Sequence, residues 1–402
     1  MGNPEIAGPL ARYAAGFAAE LAAQGYTGWS ISRHLHLMAH LSAWLRGQGI
    51  DAGQLSPAVM DRFVPVMRAT RCTLVSARAL APMRRYLNGL GVLPQAAAAP
   101  GSTRDALLAA YQRYLRGERG VCEKTVKAYT PFAAVFLAGL GDPLEKTLAD
   151  LTGPAVLDIM TARLRRCRTA SARTVVAKAS RSLLRYLYAG GWTSRELALV
   201  VPPVARWRLA GLPDRLDAAA IAALRDSCDR ATETGRRDHA ILLLLVRLGL
   251  RPCEVAALTF EDLNWRAGEV TIHGKGGRAD KLPLPWDVGE AVADYLRTRR
   301  SPPSPLRAVF LTAQAPCRAL SSHGAGLIVG RAAQRAGIPR CSPRTLRHSL
   351  ASGLLASGAS LADVGEILRH ADPATTAIYA KVDRAALAAL VRPWPARREA
   401  RS

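Results

Sequence analysis

Tyr379 lies in the stretch HADPATTAIY, nine positions after His370. A tyrosine hydroxyl is a poor nucleophile at neutral pH, with a pKa near ~10, so it needs help to do chemistry. Upstream lie short motifs carrying groups of the right kind: GLRPCE with Arg251 and Glu254, HGKGG with Lys275, and SPRTLRHSLAS with Arg344, Arg347 and His348. Singly, each has a plain reading. Arg251 reads as a helix-capping surface charge, Arg347 as part of a solvated face, and Tyr379 as a core ring with a wet hydroxyl. GKGG lacks the G-x-x-x-x-G-K-[ST] spacing of a nucleotide cradle. Together they describe one reaction. Two arginines fork onto phosphodiester oxygens and stabilise a five-coordinate transition state. A lysine protonates the departing alkoxide, a histidine donates to a non-bridging oxygen, and the tyrosine attacks phosphorus to form a covalent ester. On this reading clustered positive charge favours the ionised tyrosine. The cations also supply the electrostatics that a two-metal site draws from carboxylate-held ions, so neither metal nor cofactor is expected.

Composition points to the partner. The 402 residues include 55 Lys and Arg against 31 Asp and Glu, a net charge of +24. That excess suits a polyanion, nucleic acid first, although a generally basic proteome would also produce it. A hydrophobic content of 49% places the chain among globular proteins rather than disordered ones. The seven cysteines form no C-x-x-C pair, which fits structural thiols in a reducing compartment. His36 and His40 stand four apart without a third ligand and read as helix-face residues. The run AILLLLV is too short to cross a bilayer, and the N-terminus MGNPEIAGPL has no secretory pattern. The expectation is a cytoplasmic protein with no membrane partner.

The elements that must position these residues are mostly helices, with apolar residues recurring at three and four. Two Pro/Gly-rich stretches, LPQAAAAPGSTRD and VVPPVARWRLAGLPDRLD, read as linkers, the first closed by an N-cap at Ser102 or Thr103. They divide the chain into 1–97, 102–195, 214–392 and a basic tail at 393–402. The first two segments resemble each other. LSPAVMDRF parallels LTGPAVLDIM, SARALAPMRRYLNGLG parallels SARTVVAKASRSLLRYLYAGG, and HLHLMAHLSAWLRGQG parallels KTVKAYTPFAAVFLAGLG. The same order of blocks favours a duplicated four-helix unit over convergence of Ala/Leu-rich helices. In the third segment, EVTIH and DKLPLP flank GKGG as a β-hairpin. Helices are expected over 218–229, 236–248, 287–298, 323–336, 344–356, 361–368, 373–380 and 384–391.

From about Leu216 to Arg392 the chain resembles the tyrosine recombinases, the phage integrase family. The resemblance rests on HAILLLLVRLGLRPCEVAALTFEDLNW, on GKGG 24 residues after Arg251, on LRHSLAS and on LRHADPATTAIYAKV. It implies that Arg251 is the first catalytic arginine, Glu254 its acidic neighbour and Lys275 the hairpin lysine. Arg347 then takes the place of the second arginine, His370 the His/Trp position and Tyr379 the nucleophile. The segment near Ser102–Trp192 looks like the family's core-binding domain, a helical clamp on DNA. The implied fold is mainly α with a small β-sheet in the catalytic domain, preceded by helical core-binding domains.

The family's function implies double-stranded DNA recombination sites as substrate, a 3′-phosphotyrosyl link and rejoining through a Holliday junction. It also implies a tetramer, with or without companion recombinases, on a bacterial nucleoid. Among integration, transposition and chromosome-dimer resolution, the extra N-terminal region and the departures from the family pattern favour an integrase or transposase of a mobile element. The rival readings are a type IB topoisomerase and a catalytically weakened DNA-binding partner. Two residues depart from the family pattern. Arg344 stands where the family has histidine; it keeps a phosphate contact but cannot accept a proton. His348 lies four residues on, on the same helix face, and is a candidate to share that work, although the family's histidine there is usually structural. Arg369 replaces the usual glycine before His370 and reads as added charge near the phosphate or a DNA-backbone contact.

Overall fold

The computed structural model describes residues 4–69, 78–93, 102–204, 214–274, 278–299, 306–339, 341–370 and 372–382. Lys275, the 384–391 segment, the 393–402 tail, most of the first linker and half of the second lie outside them. The described residues are mainly helical with one small antiparallel sheet. The chain divides into two compact units, Met1–Pro94 with Leu209–Ser402, and Gln95–Arg208.

Four helices build the N-terminal segment: α1 (Ala14–Ala23), α2 (Gly28–Gly47), α3 (Pro57–Ala69) and α4 (Ala81–Gly89). They close over Phe17, Leu21, Leu41, Leu45, Met60 and Leu87, all fully buried or nearly so. In the first unit this segment also meets the C-terminal one, where the Cys317 N–H donates to the Gln24 carbonyl at 2.9 Å. The Gln95–Arg208 unit has its own core, between α5 (Thr103–Gly117), α6 (Glu123–Ala138), α7 (Leu144–Ala149), α8 (Gly153–Arg165) and α9 (Ala170–Ala189). Ser102 caps α5, its hydroxyl accepting from the Asp105 N–H.

The two helical segments repeat one set of internal contacts. Phe17 of α1 meets Tyr86 of α4 with ring centres 5.4 Å apart; Tyr111 of α5 meets Tyr186 of α9 at 5.3 Å. Past α4 the chain turns at Gly91 (φ 69°), and the Val92 N–H bonds the Leu87 carbonyl at 3.0 Å. Past α9 it turns at Gly191 (φ 71°), and the Trp192 N–H bonds the Leu187 carbonyl at 2.8 Å. Such left-handed turns end a helix by satisfying its last carbonyls.

The C-terminal segment is organised around α11 (Glu233–Arg247), which follows α10 (Ala218–Asp226). The apolar run Ala240–Leu245 lies wholly inside α11 and is buried all round, the pattern of a central core helix. Short helix α12 (Pro252–Ala257) leads into strands β1 (Leu263–Asn264), β2 (Glu269–His273) and β3 (Ala279–Pro283), paired antiparallel in that order. Val270 and Ile272 of β2 point into the core while their neighbours face outward, the period of two that fixes register. Helices α13 (Trp286–Thr298), α14 (Ser322–Arg335), α15 (Pro343–Ala356) and α16 (Leu361–Ile367) complete the segment.

The helix expected over 373–380 is instead two short 3-10 turns, Pro373–Thr375 and Ala377–Val382. Asp372 takes the Ala374 N–H on its side chain, and the Thr376 and Tyr379 amides bond three residues back rather than four. Adjacent β-branched threonines disfavour a regular helix here.

Candidate active site

The site is built from the ends of helices. Between α11 and α12 the chain turns at Gly249, with φ +58°. A Cβ there would lie 2.9 Å from both the Leu350 and Leu368 side chains, so the turn requires glycine on both conformational and steric grounds. The turn delivers Arg251 to the N-cap of α12. Its backbone N–H donates to Glu254 Oε2 at 2.8 Å, and its Nη1 donates to Oε1 at 2.5 Å. Its guanidinium is half-exposed, whereas the Glu254 carboxylate is buried.

Arg347 projects from α15 and is buried. One terminal nitrogen donates to the Gly249 carbonyl and the other to the Leu368 carbonyl. Burial, with Arg251 and Arg369 nearby, lowers its pKa to about 10, so it stays charged at neutral pH. His370 follows α16 and shares a hydrogen bond with the Thr376 hydroxyl, Nδ1 to Oγ1 2.7 Å. Burial and then the charges of Arg347, Arg251 and Arg369 lower its pKa to about 4. In the DNA-free protein His370 is therefore a neutral ring near neutral pH.

Tyr379 is 2% exposed, packed in a small cluster with Leu355, Val364 and Leu368. Its Oη lies 2.9 Å from His348 Nδ1. On the far side of the same ring, Arg344 Nε donates to His348 Nε2 at 2.9 Å. A guanidinium only donates, so Nε2 accepts and the neutral ring carries its proton on Nδ1, directed at the phenol oxygen. Burial, then the charges of Arg344 and Arg347, lowers the His348 pKa to about 4, which keeps the ring neutral.

Two sequence expectations change at this point. The tyrosine was expected to ionise more readily in a field of positive charge. Its pKa is raised instead, because burial outweighs the opposing pull of Arg347 and Arg344. Arg369 was expected to add charge at the phosphate. Its side chain is 5% exposed and pairs with the buried Glu254, Nη2 to Oε2 3.0 Å.

The model of the phage integrase family matches residues 214–385. The integrase/recombinase y4rA of Sinorhizobium fredii is 37% identical over 393 residues, covering 96% of this chain and 95% of its own. The chain belongs to the tyrosine recombinase family. It is a tyrosine-type DNA strand transferase, acting in site-specific recombination.

The tyrosine recombinase XerD of Listeria monocytogenes is 30% identical over 291 residues, covering 69% of this chain and 94% of its own. Among solved structures, the XerH site-specific recombinase on a palindromic difH substrate matches with a TM-score of 0.54 at 19% identity, over 82% of this chain and 93% of that one. That likeness carries the fold.

Of the recombinase residues singled out in sequence, Arg251, Glu254, Arg347 and His370 converge, joined by the carbonyls of Gly249 and Leu368. Arg344, His348 and Tyr379 form a second chain of contacts. Lys275 lies outside the described residues; beside it the Gly274 N–H bonds the Arg278 carbonyl at 2.7 Å as the hairpin closes. Thr376, the partner of His370, carried no sequence signal. Gly249 carried one, since a glycine just past one helix and two residues before the N-cap of the next suits a left-handed turn.

Proposed function

We propose that Tyr379 is the nucleophile of DNA cleavage. Once exposed, its Oη gives its proton to solvent water, attacks the scissile phosphorus and forms a 3′-phosphotyrosyl bond, and the 5′-oxygen leaves with a proton from Lys275. Arg251 and Arg347 stabilise the charge that builds on the phosphoryl oxygens, and His370 donates to one of them. A 5′-hydroxyl from the partner duplex then gives its proton to the Lys275 amine and attacks the tyrosyl ester, rejoining the strand, and the departing Tyr379 oxygen takes a proton back from water. The ester conserves the phosphodiester bond, so the cycle balances without a nucleotide cofactor. The observation that carries this reading is electrostatic: Arg347, Arg251 and Arg369 all act on His370, and Arg347 and Arg344 on Tyr379.

In the form described here the nucleophile is covered. DNA binding must expose Tyr379 before attack, which keeps an unassembled protomer from cutting DNA. The assembly that acts is a tetramer on two recombination sites, on the nucleoid, and its task is to move a mobile element. The domains are 1–97, 102–195 and 214–392, with a basic tail. Segment 102–195 is the DNA clamp, whose helices α8 and α9 carry Arg163, Arg165, Arg173, Lys178, Arg181 and Arg185. The matched ring pairs and helix ends support reading 1–97 as its duplicate.

The test is a nicked suicide duplex drawn from a randomised-sequence library and captured as a covalent adduct. Wild type is expected to yield adduct at a defined sequence, and Tyr379→Phe none. No wild-type adduct across the library sinks the assignment. Exchange of strands between two captured sites separates recombination from simple relaxation of supercoils.

A further inference from the structure

We infer that Arg369 is a positioning residue for cleavage, acting through Glu254 on Arg251 and through the backbone on His370; this rests on the roles proposed for those residues. Arg369 is the one described non-glycine residue with positive φ, at +53°. Left-handed backbone is uncommon for residues other than Gly, Asn and Asp, so an arginine kept there calls for a compensating contact. The local structure says what the position does. α16 ends with the Arg369 N–H on the Glu366 carbonyl at 2.8 Å and the His370 N–H on the Gly365 carbonyl at 2.9 Å. That is the paired bonding of a helix terminated by a left-handed residue, a place normally taken by glycine. The turn sets the direction in which His370 leaves the helix.

The side chain does something glycine cannot. Nη1 bonds the Ile367 carbonyl at 3.2 Å and Nη2 bonds Glu254 Oε2 at 3.0 Å. Glu254 Oε2 is the same oxygen that receives the Arg251 backbone N–H, while Oε1 holds the Arg251 guanidinium. Arg251 is half-exposed on its own, so its aim depends on a carboxylate that must remain charged while buried. Burial opposes that charge; the bonds from Arg251 and the charge of Arg369 overcome it and leave the Glu254 pKa lowered. A buried carboxylate with two cationic partners is fixed more firmly than one with a single, half-exposed partner. Arg369 thus ties the end of α16, 115 residues distant in sequence, to the start of α12.

The substitution Arg369→Gly separates the two roles, because glycine adopts the left-handed turn more readily than arginine. Backbone strain is relieved, while the link to Glu254 is lost together with the weaker bond to the Ile367 carbonyl. On the captured suicide duplex, R369G is expected to slow covalent adduct formation by about tenfold or more. Noncovalent affinity for the same duplex, measured in a Tyr379→Phe background, is expected to stay within about twofold. The acid limb of the R369G rate profile moves to higher pH, since Glu254 has lost a cation. Arg369→Lys, which restores a positive charge within reach of Glu254, recovers most of the rate and the wild-type profile. R369G cleaving at the wild-type rate with an unchanged profile overturns the inference. So does equal loss in R369G and R369K accompanied by a fall in thermal midpoint, which would mark a purely structural helix end. If wild type itself forms no adduct, what fails is the assignment of Tyr379, and this inference falls with it; a wild-type adduct with an indifferent Arg369 fails this inference alone.

Discussion

The two halves of the active site are held by different physics. On the phosphate-binding side, Arg251, Glu254 and Arg369 form a chain of charges, with Arg347 pinned to two backbone carbonyls. On the nucleophile side, Arg344, His348 and Tyr379 form a chain of hydrogen bonds through a neutral ring to a neutral phenol. The first half is committed: a buried charge needs its partners, and removing one leaves the other uncompensated. The second half can let go at modest cost, because a neutral hydrogen bond contributes only about 0.5–1.5 kcal/mol. The difference suits the tasks. Under the proposed roles, phosphate binding needs a preorganised field, whereas the tyrosine has to leave its cover and return.

The largest expected effect comes from cutting the committed half. Arg347→Ala is expected to lower single-turnover adduct formation by about 10²–10³-fold, as for loss of one donor to a transition-state oxyanion. Arg347→Lys falls short of rescue, because a single ammonium cannot hold the Gly249 and Leu368 carbonyls together. An Arg347→Ala rate within a factor of about three of wild type would mean that this charge does not face the phosphate.

Next comes the turn that both halves share. Gly249→Ala is expected to destabilise the protein by roughly 2–3 kcal/mol, from left-handed strain and the close approach to Leu350 and Leu368. Urea denaturation checks it. An unchanged midpoint would show that α11 and α15 shift apart freely, and the contrast between a rigid and a yielding half would fail.

On the nucleophile side the expected losses are smaller. His348→Asn keeps a donor for the Tyr379 oxygen and is expected to cleave within about fivefold of wild type, while His348→Phe loses about ten- to a hundredfold. Equal rates for the two would remove His348 from the reaction. Arg344→Ala takes away a charge that holds the His348 pKa down. Its acid limb of cleavage is expected to start at higher pH, and no displacement of that limb would detach Arg344 from the ring. The mildest effect concerns stability against pH. His348 and His370 have pKa values lowered to about 4, against 6.5 for an unperturbed histidine. Below pH 6.5 the unfolded chain binds protons that the folded one refuses, so stability falls as pH drops from about 6.5 towards 4. Thermal midpoints across that window should drop less in His348→Asn than in wild type.

Much of this was legible from residue types and spacing. The chemistry could be assembled from Arg251, Lys275, Arg347, His370 and Tyr379 because each type has few uses in such a combination. The hairpin around GKGG followed from a glycine-rich turn between two short β-like runs, and the helix expected over 236–248 from apolar residues recurring at three and four; that its run Ala240–Leu245 is buried all round came from the fold. What failed were inferences about surroundings. Residues 373–380 have a helical look, but Asp372 takes the Ala374 amide and two adjacent β-branched threonines disfavour the helix. Tyr379 was expected to ionise more easily because charge could be counted in the sequence, whereas its burial could not.

Sequence alone determined the inventory: which groups are present, that they suit phosphoryl transfer to tyrosine, and that helices carry them. These follow from intrinsic reactivity, local periodicity and spacing. The tertiary structure decided the partners. Arg369 read as added charge near the phosphate or a DNA-backbone contact and is a buried counter-ion; Tyr379 read as ionising in a positive field and is covered. Pairing and burial are made between segments far apart in the chain, and the sign of a pKa shift depends on both. That is why Arg369 and Glu254, 115 positions apart, had to be seen in one fold before either could be given its place.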